Sequence, residues 1–375
     1  MKEHDPVAEL RRLGQSVWLD QIDRAMIRSG ALHRLRDAGV TGVTANPTIF
    51  AKALEASDVY ADEVSKRLRE GRPSESVVWD LLIEDVQAAA DIFRLVYERE
   101  RGDDGFVSIE VSPEIAYDTE RTVAAAHDLN RRVDRPNVMV KVPATPAGLP
   151  AIEGLIGDGL NINITLIFSV ERYVKVVEAY FAGLERRLES GSDIRRIRSV
   201  ASFFVSRIDS KVDEQLWQKI EQAESPAQRN ELEGMLGRAA IANSKLAYEM
   251  FGQLHSGPRW ERLKEAGAAV QRPLWASTST KNPRYLDTMY VEELIGPDTV
   301  DTMPLPTFEA FRDHGRVAPT LQANGKEARR YLDELAAVRI YLAEITQQLE
   351  DEGVEAFAKS FHESVERLGK VRVGR

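Results

Sequence analysis

Eight short runs with a period of two, separated by stretches of helical period, constrain this chain more than any other feature. The strand-like runs fall at 16–21, 42–46, 106–112, 138–144, 160–168, 199–207, 273–279 and 298–303. The spacing predicts helices at 6–14, 24–38, 57–101 (two, divided at Gly71-Arg72-Pro73), 118–133, 147–157, 169–188, 208–254 (mostly helical, interrupted near Pro226), 284–294, 307–313 and 325–369. Strands separated by helices imply right-handed crossovers and a parallel sheet. Eight such units point to a (β/α)8 TIM barrel. An open doubly wound sheet is the runner-up, weakened because no Gly-x-Gly-x-x-Gly follows an early strand. The chain has 375 residues, more than the about 250 of a typical barrel. The expectation is one unit over 1–375, with the barrel at 16–315 and extra helices at 325–370. Gly353 is expected to separate two of those helices.

The run from Val138 to Thr145 carries an anomaly. Valine holds 138, 140 and 142, so the valines share one face, and Lys141 lies on the other beside Met139 and Pro143. Lysine is almost never fully buried unless something satisfies it. In a barrel, one face of each strand meets the helices and the other points inward, so the valines belong outside and Lys141 inside. The same parity puts Ser16, Trp18 and Asp20 inside on the first strand, and Thr44 and Asn46 on the second. Ser108, Glu110 and Ser112 follow on the third, and Asn161, Asn163 and Thr165 on the fifth, with Ile162, Ile164 and Leu166 outside. The sixth is ambiguous in its parity, but Ser202 and Phe204 share a face, with Ser206 open as a third member. Barrel interiors are normally Val, Ile and Leu. Two carboxylates, an amine, amides and hydroxyls near the C-terminal mouth therefore form a functional-site pattern. A neutral, desolvated amine attacks a carbonyl carbon, and the carboxylates move protons. The bland alternative is a satisfied network in which Lys141 is paired with Glu110 or Asp20.

Arg207 is expected to end the sixth strand, and Lys281 follows the seventh in Ser277-Thr278-Ser279-Thr280-Lys281. Hydroxyls with Arg and Lys after late barrel strands suit a phosphate; the alternative is a solvated loop. Trp18 and Phe204 are expected as pocket walls. The histidines at 4, 33, 127, 255, 314 and 362 show no metal-ligand spacing, so no metal is expected. The net charge of −10 speaks against a general nucleic-acid footprint. No apolar run approaches the roughly 20 residues of a membrane span, and the first residues lack the apolar core of a signal peptide. The absence of cysteine rules out disulfides and thiolate metal sites and fits a cytoplasmic location.

Taken in order, Ser16-Val17-Trp18-Leu19-Asp20, Gly42-Val43-Thr44-Ala45-Asn46-Pro47-Thr48-Ile49-Phe50, the lysine strand to Ala144, Asn161-Ile162-Asn163-Ile164-Thr165-Leu166-Ile167-Phe168 and 201–207 resemble transaldolase, in its long form with extra C-terminal helices. The resemblance covers nearly the whole chain. It implies a class I aldolase-type barrel that uses no cofactor or metal and moves a dihydroxyacetone unit between sugar phosphates in the pentose phosphate pathway. By motif, Lys141 resembles the Schiff-base lysine and Asp20 the acid/base at the donor C4 hydroxyl. Glu110 and Thr165 resemble the pair that holds the catalytic water. Asn46, Asn163 and Ser202, with Phe204 at the wall, resemble the donor-binding groups, and Arg207 a phosphate ligand. Where many members have Ser-Phe-Arg-Asn after the seventh strand, this chain has Ser-Thr-Ser-Thr-Lys-Asn. Lys281 then takes the second phosphate contact, with Ser277 beside it, or Ser279 in the alternative register.

The resemblance implies exchange between sedoheptulose 7-phosphate plus glyceraldehyde 3-phosphate and erythrose 4-phosphate plus fructose 6-phosphate. A fructose-6-phosphate aldolase, which cleaves without transfer, is the nearest alternative, and Glu110 argues against it. A non-catalytic sugar-phosphate-binding barrel is the second, and the intact Lys141, Asp20 and Glu110 argue against that. The apolar stripe at Leu332, Leu335, Ile340, Leu342, Ile345 and Leu349 fits packing on the barrel, covering its mouth, or a homodimer seam, so monomer and homodimer both stay open.

Overall fold

The computed structural model describes residues 5–45, 50, 53, 58–322 and 325–371. Asn46 lies outside the described residues. The strands are β1 Gln15–Leu19, β2 Gly42–Thr44, β3 Val107–Glu110, β4 Val138–Pro143, β5 Ile162–Ile167, β6 Ser199–Phe204, β7 Arg272–Ala276 and β8 Thr299–Met303. They close into a barrel in the order β1 to β8, every pair parallel, with β8 returning to β1. This is the (β/α)8 TIM barrel that the alternation predicts. Among the described residues no helix is long and apolar enough to cross a membrane.

β4 shows why the barrel closes around a lysine. Val138, Val140 and Val142 are buried against the helix layer, and each buried side chain of this kind contributes about 1.5–3 kcal/mol. Their burial commits Lys141 to the interior by parity alone. Ladder register then aligns the neighbours: Lys141 lies opposite Glu110 on β3 and Asn163 on β5. Gly148 opens the next helix, Gly148–Asp158, and a Cβ there would stand 2.0 Å from the Pro143 carbonyl oxygen. That contact lets the chain turn back tightly after the lysine strand.

Five details differ from the periodicity. The helix predicted at 24–38 is two, Arg24–Arg28 and Ala31–Asp37. The one predicted at 284–294 shortens to Met289–Glu293, and Pro258–Glu265 is a helix that the pattern missed. β5 carries a register shift between Ile164 and Ile167, with Leu166 at φ 60°. Alternation therefore fails at Leu166, whose side chain meets Gly353 rather than the outer helices. Last, Gly353 does not separate two helices. The break falls between Ala337 and Leu342, where Arg339 takes a left-handed φ of 61°, and Leu342–Val371 runs on through Gly353. Glycine suits the close approach there: a Cβ would lie 3.0 Å from Leu166 Cδ2, and the leucine would have to give by a few tenths of an ångström.

Of the three roles open to the C-terminal helix, the fold shows it crossing the C-terminal mouth of the barrel. Phe357 reaches the central cavity, and Phe361 packs against Trp79 with ring centroids 5.5 Å apart. Glu350 pairs with Arg172 at 3.1 Å and Glu352 with Lys211 at 2.8 Å.

Candidate active site

A cavity of about 700 Å³ opens at the C-terminal ends of the strands. Lys141 and Thr165 lie on its floor. Asp20, Thr44 and Thr302 form one wall, and Ser202, Phe204 and Arg207 another. Ser277, Ser279 and Lys281 line the rim, and Phe357 comes from the C-terminal helix.

Lys141 is 4% exposed and Glu110 3%, and Nζ stands 3.3 Å from Glu110 Oε2. Burial pushes the Glu110 carboxyl above the ordinary carboxylate range, against the pull of the Lys141 charge and its hydrogen bond. Asp20 follows the last residue of β1, and its N–H donates to the Met303 carbonyl at 2.7 Å. Burial raises its carboxyl too. Lys141, a hydrogen bond from Thr44, Arg207 and Lys281 pull it back. Thr44 Oγ1 lies 3.1 Å from Asp20 Oδ1 and 3.0 Å from Thr302 Oγ1. A hydroxyl has one proton, so Thr302 donates to Thr44 when Thr44 donates to Asp20. The carboxylate is thus oriented from two strands.

Asn163 is fully buried behind the cavity wall rather than on it. Its Nδ2 donates to Ser108 Oγ at 3.0 Å, and its Oδ1 accepts from Ser202 Oγ at 2.6 Å. The amide therefore fixes the Ser202 hydroxyl beside Lys141. Glu110 also lies off the main cavity. It lines a separate space of about 10 Å³ with Ala45, Phe50, Trp79, Phe361 and Ser364, room for about one water. Glu110 Oε2, beyond its ion pair, and Thr165 Oγ1 have no hydrogen bond among the described residues.

Two placements correct the sequence reading. Arg207 does not end β6. The strand stops at Phe204, and Arg207 sits in the first turn of the helix Ser206–Glu221. Its guanidinium carbon is 5.2 Å from the Phe204 ring centroid, and burial lowers its proton affinity against the opposing pull of Asp20 and Glu352. Trp18 points inward as parity predicts but is no wall of this pocket. It pairs in register with Gly42, the first residue of β2, and its Nε1 donates to Asp104 at 2.8 Å. It lines a cavity at the opposite end of the barrel with Phe106, Met139 and Arg272. Parity gives the side of a strand, not the depth along it.

Thr44, Thr302 and Phe357 are among the lining residues that the sequence does not mark as part of the site. Parity turns Thr44 inward, but nothing in its sequence context marks a role for it. Thr302 lies on β8, where Thr299, Asp301 and Thr302 put polar side chains on both faces, so no apolar face betrays the parity. Phe357 sits on a helix whose place over the mouth leaves no mark in its own period. Ser277 and Ser279 both line the rim, so the two alternative registers meet at one site.

The model of the transaldolase/fructose-6-phosphate aldolase family matches residues 17–368. A protein of Thermobifida fusca named transaldolase is 46% identical over 367 residues, covering 97% of this chain and 98% of that one. Transaldolases of Saccharopolyspora erythraea and Trichodesmium erythraeum are 47% and 41% identical, over 98% and 96% of this chain and equal shares of their own. The matched span includes the positions of Asp20, Glu110, Lys141 and Thr165, and the chain belongs to the transaldolase/fructose-6-phosphate aldolase family.

Proposed function

We propose that this protein is a transaldolase working through a Schiff base on Lys141. The observation that carries the reading is a lysine amine, 4% exposed, set 3.3 Å from one carboxyl on the floor of a cavity it shares with a second, Asp20. The Lys141 amine attacks C2 of fructose 6-phosphate or sedoheptulose 7-phosphate. The carbinolamine loses water to give an iminium. Asp20 takes the proton of the C4 hydroxyl as the C3–C4 bond breaks, and the electron pair flows to nitrogen as an enamine. The aldehyde fragment leaves with the phosphate. An acceptor aldehyde then enters, the enamine carbon attacks it, and Asp20 returns the proton to the new alkoxide. Hydrolysis of the iminium frees Lys141.

Glu110 and Thr165 hold the water that shuttles protons in the carbinolamine and imine steps; the Thr165 hydroxyl, without a hydrogen bond among the described residues, and the Glu110 oxygen that meets only Lys141 support this. Ser202, fixed by Asn163, and Asn46 hold the donor hydroxyls, with Phe204 as the wall. Arg207, Lys281 and the rim serines hold the phosphate. The whole chain works as one unit, since the C-terminal helix supplies part of the cavity wall, and the lack of cysteine suits a cytoplasmic location.

Borohydride added with fructose 6-phosphate should reduce the imine and leave a covalent adduct on Lys141, read by mass spectrometry. Lys141→Met should remove the adduct and keep the fold. Absence of an adduct in well-folded wild-type protein would overturn the Schiff base. Fructose 6-phosphate turning over as fast without an acceptor aldehyde as with one would make the protein an aldolase instead.

A further inference from the structure

One buried carboxylate takes no part in this chemistry. Asp301 is fully buried on β8, and its neighbour Thr302 lines the cavity, so period two turns Asp301 away from it, toward the helix layer. Asp301 Oδ2 has no hydrogen bond among the described residues. Oδ1 accepts from Thr278 Oγ1 at 3.0 Å, and the same hydroxyl lies 3.2 Å from the Thr302 carbonyl oxygen. Thr278 is itself fully buried.

Thr278 is the anchored residue of the segment that forms the rim. Ser277 before it adopts a left-handed φ of 59°, uncommon for a residue with a Cβ. Ser277 is tied on its other side to the helix that carries Arg207: its carbonyl accepts from Ser206 N–H at 3.0 Å, and the two hydroxyls are 3.0 Å apart. Ser279 and Lys281 follow, with Lys281 Nζ donating to Ser279 Oγ at 2.8 Å. The rim is thus clamped at two points. One lies next to Arg207 and the other is Thr278 against β8. A buried carboxyl with a single hydroxyl partner is a costly way to fill the barrel wall. It is a precise way to hold one hydroxyl.

We propose that Asp301 is a positioning residue that, through Thr278, holds Ser277, Ser279 and Lys281 in line with Arg207 as a seat for a phosphate monoester. The inference rests on the reading of this rim as the phosphate end of the pocket. It predicts that Asp301 governs discrimination between phosphorylated and unphosphorylated acceptor aldehydes without touching either.

The test compares erythrose 4-phosphate with erythrose as acceptor, fructose 6-phosphate being the donor. In a ping-pong transfer, kcat/KM for the acceptor reports only its own half-reaction. Thr278→Val and Asp301→Leu should lower the phosphorylated-to-unphosphorylated ratio of kcat/KM about fivefold or more, through KM, with erythrose little changed. Thr278→Ser keeps the hydroxyl and Asp301→Asn keeps the accepting oxygen, so both should hold the ratio within about twofold of wild type. Lys281→Ala is the reference for the phosphate seat. If it leaves the ratio unchanged, the phosphate reading of the rim fails. If it lowers the ratio while Thr278→Val and Asp301→Leu do not, or if those two slow both acceptors equally, the positioning role is overturned. Should Asp301→Leu fail to fold, Thr278→Val decides the matter.

Discussion

Asp301→Asn should make the protein more stable than wild type at pH 8 while leaving the two alike near pH 4. Burial raises the Asp301 carboxyl from 3.8 to about 7, with only the Thr278 hydrogen bond opposing it. The folded state therefore holds its proton to higher pH than the unfolded chain does. Below 3.8 both states are protonated and nothing differs. Between 3.8 and about 7 the unfolded chain has released the proton and the folded one has not, so wild-type stability falls as pH rises, and above about 7 the loss is complete. At about 1.4 kcal/mol for each tenfold change in proton affinity, the full loss is about 4 kcal/mol. Asparagine has no charge to bury and escapes it. Its amide N–H groups meet the same partnerless Oδ2 position at every pH, so that penalty cancels from the change with pH. Urea unfolding of both proteins at intervals from pH 4 to pH 8, at equal denaturant slopes, gives the difference directly. The other titrating groups are shared and drop out to first order. A difference that stays flat within about 1 kcal/mol, or that grows in favour of wild type, would refute the account of Asp301 as a carboxyl buried without a countercharge.

Two further perturbations test the site and its frame. Thr44→Val removes a hydrogen bond that favours the ionised Asp20; the acid limb of kcat/KM should move to higher pH by somewhat under about one unit, and an unmoved limb would mean that Thr44 does not tune Asp20. Gly148→Ala places a methyl 2.0 Å from the Pro143 carbonyl oxygen, one turn past the lysine strand. The melting temperature should fall by an amount equivalent to several kcal/mol, and a variant as stable as wild type would deny that close approach.

The parts of the site that were legible in the sequence share one physical basis. Where one face of a strand is continuously apolar, burial in the helix layer selects that face, and the polar residues between have only the barrel interior left. Val138, Val140 and Val142 did this for Lys141, and Val107 and Ile109 for Glu110. Reasoning from the face failed wherever the backbone left the ladder. The bulge in β5 turned Leu166 to the mouth, and the end of β6 at Phe204 moved Arg207 into a helix. It was also blind where both faces are polar, as on β8, which hid Thr302 and Asp301.

The sequence by itself determined the barrel, the interior residues of five strands and, through the order of its motifs, the family. Those follow from local rules: a two-residue period, a helical period and short connections. Only the tertiary structure decided depth, closure and support. Trp18 on β1 and Asp20 just after it share a face, yet register sends one to the opposite end of the barrel beside Asp104 and the other to the mouth. The C-terminal helix closes over the cavity because Gly353 fits against Leu166 and Glu350 meets Arg172, contacts between residues more than a hundred positions apart. Thr278, just past β7, and Asp301, in the middle of β8, meet only when the sheet is built. Pairings of that kind are fixed by the packing of whole elements, and no period along the chain encodes them.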